Sequence, residues 1–388
     1  MNDNVNRQWT LAARPVGMVK ESDFALREIA IPTPREGQCL VQVLYVAFEP
    51  AMRGWMADRP SYIAPVQLGD VMRAAGVGQV VASRHADFQP GDFVRGFFGW
   101  QEYAVAGDEN TPLAAKVAPD LPLALHLSVL GTTGLTAYFG LLDVGRPQAG
   151  ETVVVSGAAG ATGSIVGQLA KIHGCRVIGI AGGPHKCKWL AEEAGFDAAV
   201  DYKAERVFHR LRELCPQGIN LFFDNVGGEM LDAGLALLAP KGRIVLCGGI
   251  SRYNEEHASP GPKNYLNLVV QRGRMEGFII MDYASRYGEG LQALARWIKE
   301  GKLKHKEDIQ EGFQNIPKTF LRLFEARILA NSCSKSPIRP SEQACKTRFT
   351  CPPTHKTNAS TALLEAWRTM RMVSTIGRKC PIKGGEFK

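Results

Sequence analysis

Residues 153–164 read Val-Val-Val-Ser-Gly-Ala-Ala-Gly-Ala-Thr-Gly-Ser, and no other stretch limits the fold so sharply. Three β-branched residues in a row specify a buried strand. A turn of Gly and Ala follows, and residues 165–171 then read as a helix. Strand, glycine turn and helix N-terminus in that order make a site for a dinucleotide pyrophosphate. Small residues let the backbone approach the phosphates, and free helical N–H groups receive their charge. Gly160 and Gly163 hold the last two positions of the glycine fingerprint, with Ala161 and Thr162 between them, while Ala158 stands where its first Gly is usual. An ordinary tight turn uses the same residue types; the flanking strand and helix favour the cofactor site.

The next segment bears on which dinucleotide is bound. A second strand, 176–180, ends in Ala181-Gly182-Gly183-Pro184-His185-Lys186. An NAD site places an acid here, about 20 residues past the turn, to accept from the ribose hydroxyls. This chain offers Lys186 and Lys188 instead. Unless these are merely solvated lysines opening a helix, they suit a 2′-phosphate, and NADPH is the cofactor expected.

The net charge of +8 is misleading. Residues 327–388 carry 12 Lys and Arg against three Asp and Glu, so the body before them is nearly neutral. A neutral body gives no reason to expect a nucleic-acid partner. No apolar run approaches the ~20 residues of a membrane span, and the N-terminus lacks a signal-peptide core. Cysteines 39, 175, 187, 215 and 247 are scattered singly, without pairing or metal spacing, as suits a cytoplasmic protein.

Residues 1 to about 125 read as all-β, with apolar runs such as 39–46 and 78–81 between Gly/Pro turns. From 152 to about 280 strands and helices alternate. Strand candidates are 198–200, 220–223, 243–247 and 275–280; amphipathic stretches lie at 186–194, 206–214 and 230–238. Further helices are expected at 290–299 and 316–325. Such alternation implies an α/β fold, a doubly wound parallel sheet of the Rossmann kind with helices on both faces.

Several motifs now carry a resemblance: Met52-Arg53-Gly54, Gly99-Trp100-Gln101-Glu102-Tyr103, Gly134-Leu135-Thr136-Ala137-Tyr138, Asp224-Asn225-Val226-Gly227-Gly228, the stretch 247–254 and Met275-Glu276-Gly277-Phe278. Over roughly residues 8–325 the chain resembles the zinc-independent branch of the medium-chain dehydrogenase/reductases. Within it, the chain is similar to the NADPH-dependent double-bond reductases, the prostaglandin, 2-alkenal and curcumin reductase group. The resemblance implies a GroES-like β domain over 1–126 that also receives about 301–326, and a Rossmann NADP-binding domain over 127–300. It implies reduction of the C=C bond of α,β-unsaturated ketones or aldehydes by hydride transfer to the β-carbon. Alternatives are an NADPH:quinone reductase and a non-catalytic NADPH-binding protein. Relatives often dimerise, so a homodimer is a further expectation.

Carried over by position, Gly160 to Gly163 hold the pyrophosphate, and Lys186 and Tyr202 contact the 2′-phosphate. Asn225 and Ser251 lie along the cofactor, Cys247 and Phe278, Ile279 and Ile280 line the nicotinamide end, and Tyr253 is the catalytic phenol beside the substrate carbonyl. The zinc enzymes' Gly-His-Glu block is replaced by Leu68-Gly69-Asp70-Val71, and no cysteine stands between 39 and 175, so no metal is expected. The relatives' Asp-Pro-Tyr-Met-Arg reads Glu49-Pro50-Ala51-Met52-Arg53 here, which removes an aromatic wall from the pocket. Trp55, Tyr62, Phe98 and Trp100 are candidates for that cleft or for plain packing.

After Glu325 the family pattern of a Gly-x-Asn-x-Gly-Lys turn and a final strand is missing. One codon choice for residues 326–337 restores it: a single added G after the Glu325 codon gives Gly-Ala-Asn-Thr-Gly-Lys-Gln-Leu-Leu-Glu-Ile-Ala. A one-base frameshift is therefore expected, with a genuine lineage-specific extension as the alternative. Residues 327–388 hold four of the nine cysteines and no sustained period, and are expected to lack order beyond a stray turn at 363–367.

Overall fold

The computed structural model describes residues 5–107, 114–117, 120–257, 260–325 and 331–335. In the first of these stretches the short apolar runs become strands: β1 (Val5–Leu11), β2 (Phe24–Ala30), β3 (Cys39–Ala47), β4 (Gly76–Ser83), β5 (Phe93–Gly96) and β6 (Tyr103–Ala106), followed by β7 (Ala115–Lys116). β1 and β2 form an antiparallel ribbon, while β4 and β6 both pair antiparallel with β3. β3 is almost wholly buried, which is why it reads as an unbroken apolar run. A single turn, α1 (Met52–Trp55), follows it.

Beneath β3, the rings of Phe24, Phe48, Trp100 and Phe320 interlock with centroids 4.9 to 6.4 Å apart. Phe98 and Trp100 are buried in this core and wall no cleft. Their bulk serves the β domain, whose short strands need large rings to fill the interior.

The chain then enters α2 (Thr132–Phe139) and a six-stranded parallel sheet: β8 (Thr152–Ser156), β9 (Arg176–Ala181), β10 (Ala198–Asp201), β11 (Ile219–Asp224), β12 (Leu238–Leu246) and β13 (Arg274–Gly277). The order is β10-β9-β8-β11-β12-β13, so the winding reverses between β8 and β11 and opens a crevice at their C-terminal ends. Helices α3 (Ala161–Ile172), α4 (Pro184–Glu192), α5 (Val207–Leu214) and α6 (Gly228–Ala236) supply the crossovers. Val153, Val154 and Val155 are fully buried, as a strand covered on both faces requires. β13 stops at Gly277, short of the expected 280, because residues 278–280 turn aside to line the crevice.

Helices α7 (Asn267–Gln271) and α8 (Tyr287–Lys299) complete this half. The chain returns to the β domain through β14 (Glu307–Glu311), α9 (Ile316–Leu321) and β15 (Asn331–Lys335). β15 corrects the expectation of disorder from residue 327. It lies between β14, which it meets in parallel, and β3, which it meets antiparallel. A slot between two strand edges offers N–H and C=O groups on both sides, and that ladder asks little of side-chain identity. The fit is poor nonetheless. Cys333 and Ser334 are both buried, and the Ser334 hydroxyl has no hydrogen-bond partner. The expected turn at 363–367 lies outside the described residues. No described helix is long and apolar enough to cross a membrane.

Candidate active site

A cleft of about 760 Å³ opens between the two sheets, above the ends of β8 and β11. Its floor is the glycine turn, where Gly160, Ala161, Thr162 and Gly163 all line the space. The turn itself depends on Gly157, at φ +58°. A Cβ at Gly163 would stand 2.4 Å from the Gly157 carbonyl oxygen, so α3 reaches the turn only with glycine there. The first intrahelical bond runs from the Ser164 N–H to the Gly160 oxygen, at 3.0 Å. The N–H groups of residues 161–163 precede it and suit a pyrophosphate.

The buried carboxylate of Asp224 ties the two strands at the switch point. It accepts from the Ser156 hydroxyl at 2.6 Å and from the N–H groups of Val226 and Gly227 at 3.1 Å. Asn225 is held beside it, donating Nδ2 to the Ser156 carbonyl at 2.8 Å. Ser251 donates to the Val226 carbonyl at 2.6 Å, so its hydroxyl shapes the loop it was expected to present to the cofactor.

At one end of the cleft stand Lys186, Tyr202 and Gly182. A Cβ on Gly182 would lie 2.7 Å from the Tyr202 ring, which therefore folds flat over the backbone. Burial, and then the charge of Lys203, hold the Lys186 ammonium below its usual pKa. Lys188 turns outward to Glu192, at 3.8 Å. Lys186 and Lys203, not Lys186 and Lys188, are thus the pair whose repulsion an anion would relieve. These features fit a 2′-phosphorylated dinucleotide.

At the other end Cys247, Phe278, Ile279, Ile280 and Tyr253 face Glu49, Ala51, Trp55 and Tyr62 from the β domain. The Tyr253 oxygen accepts the Gly249 N–H at 3.2 Å, and burial raises the phenol's pKa. Accepting that bond leaves its own proton for the cleft. Tyr62 likewise accepts from Trp55 Nε1 at 3.1 Å. Burial pushes the Cys247 thiol up to about 12, so it stays a neutral wall. Arg53 is buried and joins the two halves: Nη2 donates to the carbonyls of Pro15 and Gly17, and Nε to Asn254 Oδ1, all at 3.1 Å. This clasp holds the loop that carries Tyr253.

Two family models match the chain, the N-terminal domain of oxidoreductase at residues 7–113 and the zinc-binding dehydrogenase at residues 161–296. The NADPH-dependent curcumin reductase of Escherichia coli is 43% identical over 328 residues, 83% of this chain and 94% of that protein. The chain belongs to the zinc-independent medium-chain double-bond reductases. Another member of this reductase family, prostaglandin reductase 1 of Bos taurus, is 37% identical over 85% of this chain and 99% of its own. The crystal structure of CurA in complex with NADPH from Vibrio vulnificus superposes with a TM-score of 0.81. It is 40% identical and covers 86% of this chain and all of that one. The second model's description names zinc, yet among the described residues no three His, Cys, Asp or Glu side chains gather as a metal site would need.

Gly160 to Gly163, Lys186, Tyr202, Asn225, Cys247, Ser251, Tyr253 and residues 278–280 all line this one cleft, whereas Lys188, Phe98 and Trp100 do not. Gly157 and Glu49, which also line it, and Lys203, whose charge acts on Lys186, were not anticipated. Gly157 is legible as the first member of a triplet spaced by three with Gly160 and Gly163. Lys203 follows Tyr202 directly and only needed the turn after β10 to be recognised. Glu49, a lone acid after an apolar strand, carried no spacing signal.

Proposed function

We propose that this reductase binds NADPH and reduces the C=C bond of α,β-unsaturated ketones and aldehydes. The reading rests above all on Tyr253, a half-buried phenol with an available proton, set where the glycine-turn cleft meets an apolar wall. When bound, the reduced nicotinamide supplies a hydride to the β-carbon of the substrate. The residues do the rest. Gly160 to Gly163 and Asn225 hold the pyrophosphate, Lys186, Lys203 and Tyr202 hold the 2′-phosphate, and residues 278–280 with Cys247 shape the nicotinamide end. Tyr253 donates to the carbonyl oxygen as enolate charge develops there. A positioned donor of this kind contributes roughly 3–4 kcal/mol, so Tyr253→Phe is expected to lower kcat about 10²- to 10³-fold. Steady-state kinetics on an enone and on a quinone check this. Undiminished enone turnover in the variant removes the donor role, and turnover of the quinone alone moves the activity to quinone reduction.

The described cysteines are unpaired, which supports a reducing, cytoplasmic setting. A homodimer is supported by the outer edge of β13, which ends the sheet, and by Tyr265, Leu266, Val269 and Val270, all more than half exposed beside it. Val269→Glu with Val270→Glu is expected to convert a dimer to a monomer in light scattering. A monomeric native chain contradicts the dimer.

A further inference from the structure

The cleft holds one acid that the reaction as described leaves unused. Glu49 leaves β3 between Phe48, buried in the aromatic core, and Pro50, and lines the cleft beside Ala51. Its backbone N–H is engaged by Met52 Sδ at 3.4 Å, but among the described residues no hydrogen bond reaches its carboxyl. The charges of Glu49 and Tyr253 both act on Tyr62, so the three acids surround one space. Tyr287, at the start of α8, is the other phenol that feels Glu49. The remaining charged neighbours, Arg73 near Tyr62 and Arg95 and Asp282 near Tyr287, act on those phenols. Burial alone pushes the Glu49 carboxyl up to about 7, so at neutral pH much of it carries a proton.

We propose that Glu49 is the acid that protonates the substrate's α-carbon and completes the reduction. The assignment rests on the enone-reductase reading. Once hydride has reached the β-carbon, the substrate is an enolate. The enolate electron pair takes the carboxyl proton, an α-C–H bond forms, and the O–H bond of Glu49 breaks with its electrons left on the carboxylate. Solvent at the cleft mouth returns the proton. Tyr253 serves the oxygen, and a separate acid serves the carbon. An acid with a pKa near the working pH transfers a proton to carbon better than a phenol held above 10 or than water. The chain's own departure from its family fits. Within the cleft-lining residues 49–51 the relatives' tyrosine is lost to Ala51, and the relatives' aspartate is one methylene longer as Glu49.

Glu49→Gln keeps the shape and removes the acid. With an α-substituted enone in heavy water, the native chain is expected to place deuterium on one face of the α-carbon, with kcat falling above pH 7. Glu49→Gln is expected to lose at least about tenfold in kcat, the pH limb and the facial preference, with KM for NADPH unchanged. Glu49→Asp is expected to restore the limb in part. A readout without cofactor or substrate accompanies it. A carboxyl raised in the folded state from its usual 4.5 to about 7 favours folding below pH 4.5, and that advantage disappears as pH rises through 7. The native melting temperature should therefore fall relative to Glu49→Gln across that window. Unchanged kcat, pH profile and deuterium face in Glu49→Gln overturn the proposal while leaving enone reduction intact. A native chain that fails to reduce enones while its melting curve still shows the window overturns the activity reading and, with it, the proton's destination.

Discussion

Replacing Lys186 and Lys203 together by alanine is expected to weaken NADPH binding more than about 100-fold and to leave NADH binding within a few-fold. Hydrogen bonds to a charged group contribute roughly 1.5–3 kcal/mol each, so losing two such partners reaches at least ~3 kcal/mol. The structure gives a reason for both to matter. Burial and Lys203 already hold the Lys186 ammonium below its usual pKa, a standing repulsion that a phosphate dianion replaces with attraction. NADH has no group to place there and loses nothing. Calorimetric titration of both cofactors decides the point. Equal losses for NADPH and NADH would show that the lysines support the cleft's shape, and retained NADPH selectivity would move the 2′-phosphate elsewhere. Lys188→Ala serves as the control, because its ammonium pairs with Glu192 and it is Lys203 whose charge acts on Lys186.

The Rossmann half was legible because its signals are local. A β-branched run, a glycine triplet and a helix follow one another within 20 residues, and the absence of an acid after β9 needs no tertiary knowledge. Strand ends were less so. Nothing in Phe278-Ile279-Ile280 distinguishes a strand that continues from one that stops to line a crevice, since both want apolar side chains. Phe98 and Trp100 pose the same ambiguity: an aromatic next to a turn suits a pocket wall or a core, and only the packing around Phe320, more than 200 residues away, decides it. Glu49 was illegible for the converse reason. Its importance lies in what surrounds it, and desolvation by another domain leaves no mark on the local sequence.

The tail carries the second large effect. In the register the structure shows, Cys333 lies opposite Ala47 of β3 and Ile309 of β14, and Ser334 opposite Val46 and Gln310. Counting forward from Glu325, the restored reading frame sets Leu-Leu at these two buried positions. Cys333→Leu with Ser334→Leu is therefore expected to stabilise the chain by about 3–5 kcal/mol. Each buried leucine contributes roughly 1.5–3 kcal/mol, and losing an unpaired buried hydroxyl relieves about 1–3 more, against the apolar area Cys333 already buries. At about 2–4 °C per kcal/mol for a domain of this size, the melting temperature should rise roughly 10 °C. Ser334→Ala alone should recover the hydroxyl's share. The gain should also reach the cleft, because β15 pairs with residues 45–47 and Phe48 and Glu49 follow at once. A firmer ladder there steadies the wall on which Glu49 is carried. A double variant that melts lower than the native chain would mean the slot is fitted to Cys and Ser. The strand would then be this protein's own, and the frameshift reading would fall.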